Sequence, residues 1–161
     1  MRPVFPSRTS QRFANPGSYA SDPDAHGRAG HHTGVDYGSA WPIPINRRVV
    51  RTIIPGEVVI SDFNSTMGNW VGVYNHELNL LVTYWHLSAK FVKVGEWVQV
   101  FQPVGRVGST GNSTAPHLHM QVNHGRSFDY DGHIAPRHAT KIFRRTKAWD
   151  LFRKRPKHPR A

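Results

Sequence analysis

The 161-residue chain contains no cysteine. Disulfides, thiolate metal ligands and a cysteine nucleophile are therefore excluded, and any metal must be held by imidazole and carboxylate. Long hydrophobic runs are missing as well. No stretch reaches the roughly 18 apolar residues a membrane-spanning helix needs. The N-terminal stretch MRPVFPSRTSQRFANPGS has arginines and prolines but no apolar segment, so it does not read as a secretory leader. Helical periodicity is scarce, and the only good helix candidate is ATKIFRRTKAWDLFRKR, residues 139–155. Acidic residues are nearly absent from the C-terminal end. Residues 137–161 hold ten Lys/Arg against Asp150 alone, a net of +9, whereas residues 1–136 hold 11 Lys/Arg and 9 Asp/Glu, a net of +2. The basicity belongs to a tail, which argues against a nucleic-acid-binding body with a basic face.

What is present is a series of short strand-like segments. EVVISDF (57–63), WVGVYNH (70–76), NLLVTYWHLS (79–88) and WVQV (97–100) are rich in β-branched and aromatic residues and are bounded by Gly, Pro and Asn. Residues 1–30 read as an extended, wrapping segment, and VGRVGSTGNSTAP (104–116) as a Gly/Ser/Thr loop. The pattern predicts one compact, mainly β domain of antiparallel strands over 1–138, followed by a basic tail, 139–161.

Histidine is plentiful, at 11 residues. PHLHMQV (116–122) alternates: as a strand it places His117, His119 and Gln121 on one face and Leu118, Met120 and Val122 on the other. The apolar face serves a core, and the histidine face calls for a use. HHTGVDYGS (31–39) sets His32 and Asp36 four residues apart, about 13 Å along a straight strand at ~3.3 Å per residue. Both reach one ion only if the chain bends, and Gly34 is where a bend costs least. His31 is a neighbouring decoy. YWHLS (84–88) puts His86 on the strand face of Leu80, Val82 and Tyr84. A hydrolytic zinc site takes three protein ligands and leaves one position open. His32, Asp36 and one histidine of the H-x-H pair supply that set. The other histidine of the pair and His86 would then face the reacting water as acid–base groups.

The segments HTGVD (32–36), YWHLS (84–88), VGEWV (94–98) and GSTGNSTAPHLH (108–119) occur in the order found in lysostaphin-type (LytM-like) zinc metallopeptidases, and the chain resembles that family from about residue 12 to 136. The resemblance implies an open antiparallel β-sheet core whose loops wall a groove, with loop 108–116 as one wall. It also implies that His32, Asp36 and His119 bind Zn2+ and that His86 and His117 are catalytic. It implies an endopeptidase that hydrolyses peptidoglycan stem peptides or cross-bridges. A non-catalytic wall-binding or regulatory module on the same fold is the alternative, disfavoured because all five positions are intact. Ala115 and Phe101 stand where the family often has Gly, Met120 where an aromatic is common, and Gln121 where Glu is common. Small size and the absence of an export signal resemble a bacteriophage endolysin, made in the host cytoplasm and acting in the wall or periplasm after release; a virion-associated lysin would look the same. The expected partner is peptidoglycan, with no specific nucleic acid, and a monomer is expected. On a helical wheel Ile142, Trp149 and Phe152 of the tail share one stripe amid basic residues, a pattern suited to an anionic membrane surface or wall polymer.

Overall fold

The computed structural model of the chain describes residues 8–11, 33–38 and 45–129. The tail expected to be helical lies outside them, as does His32. Every regular element among the described residues is a strand: β1 (Arg8–Gln11), β2 (Val35–Gly38), β3 (Val49–Arg51), β4 (Gly56–Asn64), β5 (Gly68–Asn75), β6 (Leu80–Lys90), β7 (Trp97–Val98), β8 (Pro103–Val107) and β9 (Leu118–His124). They form one antiparallel sheet in the order β1-β2-β9-β6-β5-β4-β7, with β8 bridging β3 and the far end of β6. The segments expected as strands from their alternation fall on β4, β5, β6, β7 and β9. Residues 104–107 differ from expectation: they are strand, not loop. Val104 and Val107 are buried, and the small Gly105 between them lets β8 approach Ala89 and Leu87 closely.

The alternation of β9 and β6 builds two unequal layers. Leu118, Met120 and Val122 pack with Leu80, Val82 and Tyr84 into the main core. On the opposite face Trp85 packs with Trp70 and Met67, and Phe128 closes over them. Burying a Leu- or Val-sized side chain contributes roughly 1.5–3 kcal/mol, so the larger layer dominates stability. Trp97 lies outside both layers and is 56% exposed. Phe101 has φ 65°. That left-handed conformation is the physical reason glycine would be common at such a position.

The sheet breaks its own period at one place. His86 has φ 60°, and its N–H donates to the Met67 carbonyl at 2.8 Å. Val71 pairs with Tyr84 but Asn69 pairs with Leu87, so Trp85 and His86 together oppose Trp70. This is a β-bulge. Tyr84 and Leu87 both enter the main core, so side-chain parity slips by one between them. His86 therefore does not lie on the Leu80–Tyr84 face, as strict alternation predicts. The bulge turns it to the face that carries His119.

Candidate active site

Register decides which side chains meet. β2 runs against β9 with Asp36 opposite His119, and Asp36 Oδ1 lies 2.8 Å from His119 Nδ1. Both residues are almost fully buried. A carboxylate in so dry a place needs a cationic or hydrogen-bonding counterpart, and the imidazole meets it. Gly34 permits this approach. A Cβ there would sit 2.4 Å from the Met120 carbonyl oxygen and 2.6 Å from His119 Nε2. The preceding residue is fixed by its side chain: Thr33 Oγ1 donates to Gln121 Oε1 at 2.7 Å. Gln121 Nε2 in turn donates to Asn123 Oδ1 at 3.2 Å and to the Asp129 carbonyl at 3.4 Å.

Trp85, wholly buried, stacks on His119 with ring centroids 4.1 Å apart and planes at 29°. Its indole N–H donates to Thr83 Oγ1 at 2.9 Å. The His119 ring is thus held on one face by Trp85 and at its Nδ1 edge by Asp36, and Gly34 leaves no room for a side chain at its Nε2 edge.

The other two imidazoles are held by main-chain carbonyls of loop 108–116. His86 Nδ1 is 2.9 Å from the Thr110 carbonyl oxygen, and His117 Nδ1 is 2.8 Å from that of Ala115. A carbonyl only accepts, so both rings carry their proton on Nδ1 and present an Nε2 lone pair when neutral. Ser113 Oγ also lies 3.2 Å from His117 Nδ1. The His86 and His117 rings are 4.5 Å apart, and His117 Nε2 is 3.8 Å from Asp36 Oδ1. Burial, and next the positive charge His117 can carry, push the His86 pKa down to about 3; the Thr110 carbonyl opposes them. His86 is therefore neutral at pH 7.

The structure thus gathers four of the five expected site residues, Asp36, His86, His117 and His119. The fifth, His32, lies outside the described residues. Among the described residues no group of three or more His, Cys, Asp or Glu side chains forms a metal cage. Of the other histidines, His76 and His124 are exposed. Trp85 is not legible from sequence as a site residue. Neither are Thr110 and Ala115, which act through carbonyls that any residue provides.

The profile of Peptidase family M23 matches residues 30–130, a span that contains all five positions. The chain belongs to peptidase family M23. This M23 domain is 40% identical over 93 residues to lysostaphin of Staphylococcus simulans, a match covering 57% of this chain and 18% of lysostaphin. It is 36% identical over 90 residues to the peptidoglycan DD-endopeptidase ShyC of Vibrio cholerae, covering 56% of this chain and 19% of ShyC. The chain therefore spans about a fifth of the length of these curated relatives. The lysostaphin catalytic domain superposes with a TM-score of 0.70 at 29% identity, over 83% of this chain and 92% of that one. The catalytic domain of the prophage-encoded M23 protein EnpA of Enterococcus faecalis, in a mutant form, gives 0.63 at 30% identity, over 84% and 95%. These matches bear out the mainly β, lysostaphin-like fold.

Proposed function

We propose that this M23 chain is a zinc-dependent endopeptidase that hydrolyses peptide bonds in bacterial peptidoglycan, in stem peptides or cross-bridges. The observation that carries the reading is the convergence of Asp36, His119, His117 and His86 on one face of the sheet, under loop 108–116. The Asp36–His119 pair fits a zinc site: once the proton between them is displaced, Asp36 Oδ1 and His119 Nδ1 are an oxygen and a nitrogen donor 2.8 Å apart, both buried, on adjacent strands whose register fixes them. His32 is the proposed third ligand. Zinc bound there supplies Lewis acidity, which activates water near neutral pH and polarises the scissile carbonyl.

The chain's own residues supply the rest. His117 Nε2 accepts a proton from the attacking water, while its Nδ1–H stays on the Ala115 carbonyl. The imidazolium so formed is steadied by Asp36, 3.8 Å away, and can donate from Nε2 to the developing oxyanion or to the leaving amine. His86, neutral and with its Nδ1–H on Thr110, orients the water by accepting its other hydrogen at Nε2.

The peptidoglycan specificity named for ShyC and the peptidase activity named for lysostaphin support the substrate class. The prophage-encoded relative is in keeping with a bacteriophage origin; we propose on that basis a lytic enzyme made in the host cytoplasm and working at the wall. Digestion of purified walls, with the released fragments identified by mass, tests the reading. New amine termini, lost on chelation and regained with zinc, are expected. An intact wall after incubation with a zinc-loaded, folded protein would sink it.

A further inference from the structure

Charge on the described body is segregated in a way that its near-neutral sum conceals. Residues 45–129 contain seven Lys/Arg: Arg47, Arg48, Arg51, Lys90, Lys93, Arg106 and Arg126. Arg126 is committed to Glu57 by a bidentate pair, 2.7 Å at each nitrogen. Of the other six, Arg47, Arg51, Lys90 and Arg106 gather at one corner of the sheet, on β3 and the turn before it, on β8 and on the end of β6, and Arg48 and Lys93 adjoin them in sequence. The strand pairings bring them together. Arg51 lies across from Pro103 and Val49 from Arg106 on β8. On the other side of β8, Lys90 pairs with Gly105. The Arg106 guanidinium donates to the Arg47 carbonyl at 3.0 Å and sits 5.5 Å over the ring of Phe91, itself 44% exposed. Arg51 is anchored by donation to the Phe101 carbonyl at 3.0 Å. Residues 45–56, 87–95 and 99–107 contain no Asp or Glu; of the two acids that directly follow these stretches, Glu57 is paired with Arg126 and Glu96 shares a turn with Lys93.

We infer that this corner is a docking surface for the phosphodiester polymer of a bacterial cell wall, a function separate from the tail. The inference rests on the wall-hydrolase reading for the choice of partner. Two physical points favour a polymer over a small anion. A single exposed ion pair is weak and readily screened, so one carboxylate would not be retained. Several such contacts made at once by one flexible polyanion act together, because each raises the effective concentration for the next. Guanidinium groups held by backbone carbonyls and by an aromatic face are also partly preorganised, which suits them to phosphate oxygens. The corner continues through Val107 and Gly108 to His117, with which Gly108 forms a bridge. A polymer held there would keep the active face against the wall.

The test uses the full chain and the variant R47Q/R51Q/R106Q, with sedimentation on purified walls, intact or stripped of phosphodiester polymer by hydrofluoric acid. Wild type is expected to bind intact walls roughly tenfold or more tightly than stripped ones, with the difference lost at high salt. The variant should bind intact walls only as well as wild type binds stripped ones. R47K/R51K/R106K should restore most of the binding, and K90Q/K93Q should give a smaller loss of the same kind. All variants should cleave a soluble peptide fragment of the wall at the wild-type rate. Equal retention of wild type and the triple Gln variant on intact walls would overturn the inference, as would binding by wild type that ignores stripping. Tighter binding to duplex DNA than to intact walls at equal phosphate concentration would overturn the choice of partner. Failure of wild type to cleave the soluble fragment would count against the hydrolase reading and leave the binding comparison standing.

Discussion

Gly34→Ala should weaken the proposed zinc site before it costs the fold. The added Cβ would lie 2.4 Å from the Met120 carbonyl oxygen, 2.6 Å from His119 Nε2 and 2.9 Å from His119 Cε1. Comfortable heavy-atom contacts begin at about 3.5 Å, so something must yield by the better part of an ångström. The His119 ring has little room, because Trp85 covers one face at 4.1 Å and Asp36 holds Nδ1 at 2.8 Å. The alternative is for β2 to lift from β9, which opens the Asp36–His119 register. Overpacking of this sort costs about 1–3 kcal/mol, a fall in Tm of the order of 5–10 °C. A metal site tolerates only ~0.5 Å of misplacement, and disturbing the groups that orient ligands typically lowers affinity about 10–100-fold. Competition with a chromophoric zinc chelator measures the affinity, and thermal unfolding of the metal-free protein measures the fold. Gly95→Ala is the control. Gly95 has φ 90° but nothing within 4 Å of its Cβ position, so that variant should lose stability through backbone strain and keep its zinc affinity. Zinc binding by Gly34→Ala within about twofold of wild type would refute the steric argument.

Further outcomes are expected. His119→Ala and Asp36→Asn should abolish stoichiometric zinc, while His31→Ala should leave it, as measured by elemental analysis of the purified proteins. His117→Ala and His86→Ala should retain zinc and lose roughly 10²–10⁴-fold in turnover on wall fragments; near-normal rates would remove that residue from the chemistry. His86 stays neutral in the fold down to about pH 3, whereas in the unfolded chain it takes up a proton near pH ~6.5. Between those values only the unfolded state gains the proton, so stability is lost as pH falls from about 6.5 toward 3, by at most about 1.4 kcal/mol per pH unit from this group. Urea midpoints at several pH values should show a shallower dependence in His86→Gln, and an unchanged slope would count against the buried, neutral ring. Gln121→Glu should destabilise by about 1–3 kcal/mol, because a carboxylate can still accept from Thr33 but would face Asn123 Oδ1 and the Asp129 carbonyl without a donor; denaturant titration checks it.

Much of the site can be read from alternation alone. His119 and Gln121 on one face of β9, with Met120 and Val122 on the other, follow from a period of two, and the structure places them so. Asp36 is linked to the histidines in the sequence only by the chemistry of zinc or by resemblance. What joins them is the pairing of β2 with β9, a non-local register that no short stretch encodes. Alternation puts His86 on the wrong face because the rule assumes an unbroken strand. The bulge that overturns it rests on one left-handed residue and one hydrogen bond to Met67, and histidine carries no signal for either. Strand β8 is hard to see because glycine and arginine interrupt VGRV, although Val104 and Val107 still face the core. The charged corner stays hidden for a related reason. Net charge sums over the body, and Arg47, Arg51, Lys90 and Arg106 are brought together only by the pairing of β3, β6 and β8.

The manner in which loop 108–116 holds His86 and His117 bears on how such an enzyme can evolve. Thr110 and Ala115 offer them carbonyl oxygens, and a carbonyl survives every substitution. The side chain at 115 is exposed and can be exchanged for others without altering the proton inventory of His117. Side chains of the loop are therefore free to vary while the two imidazoles beneath it keep their hydrogen bonds. Insertions and deletions are another matter, since they move the carbonyls themselves. Libraries that randomise side chains in this loop at fixed length should yield many active clones, and libraries that vary its length should yield few.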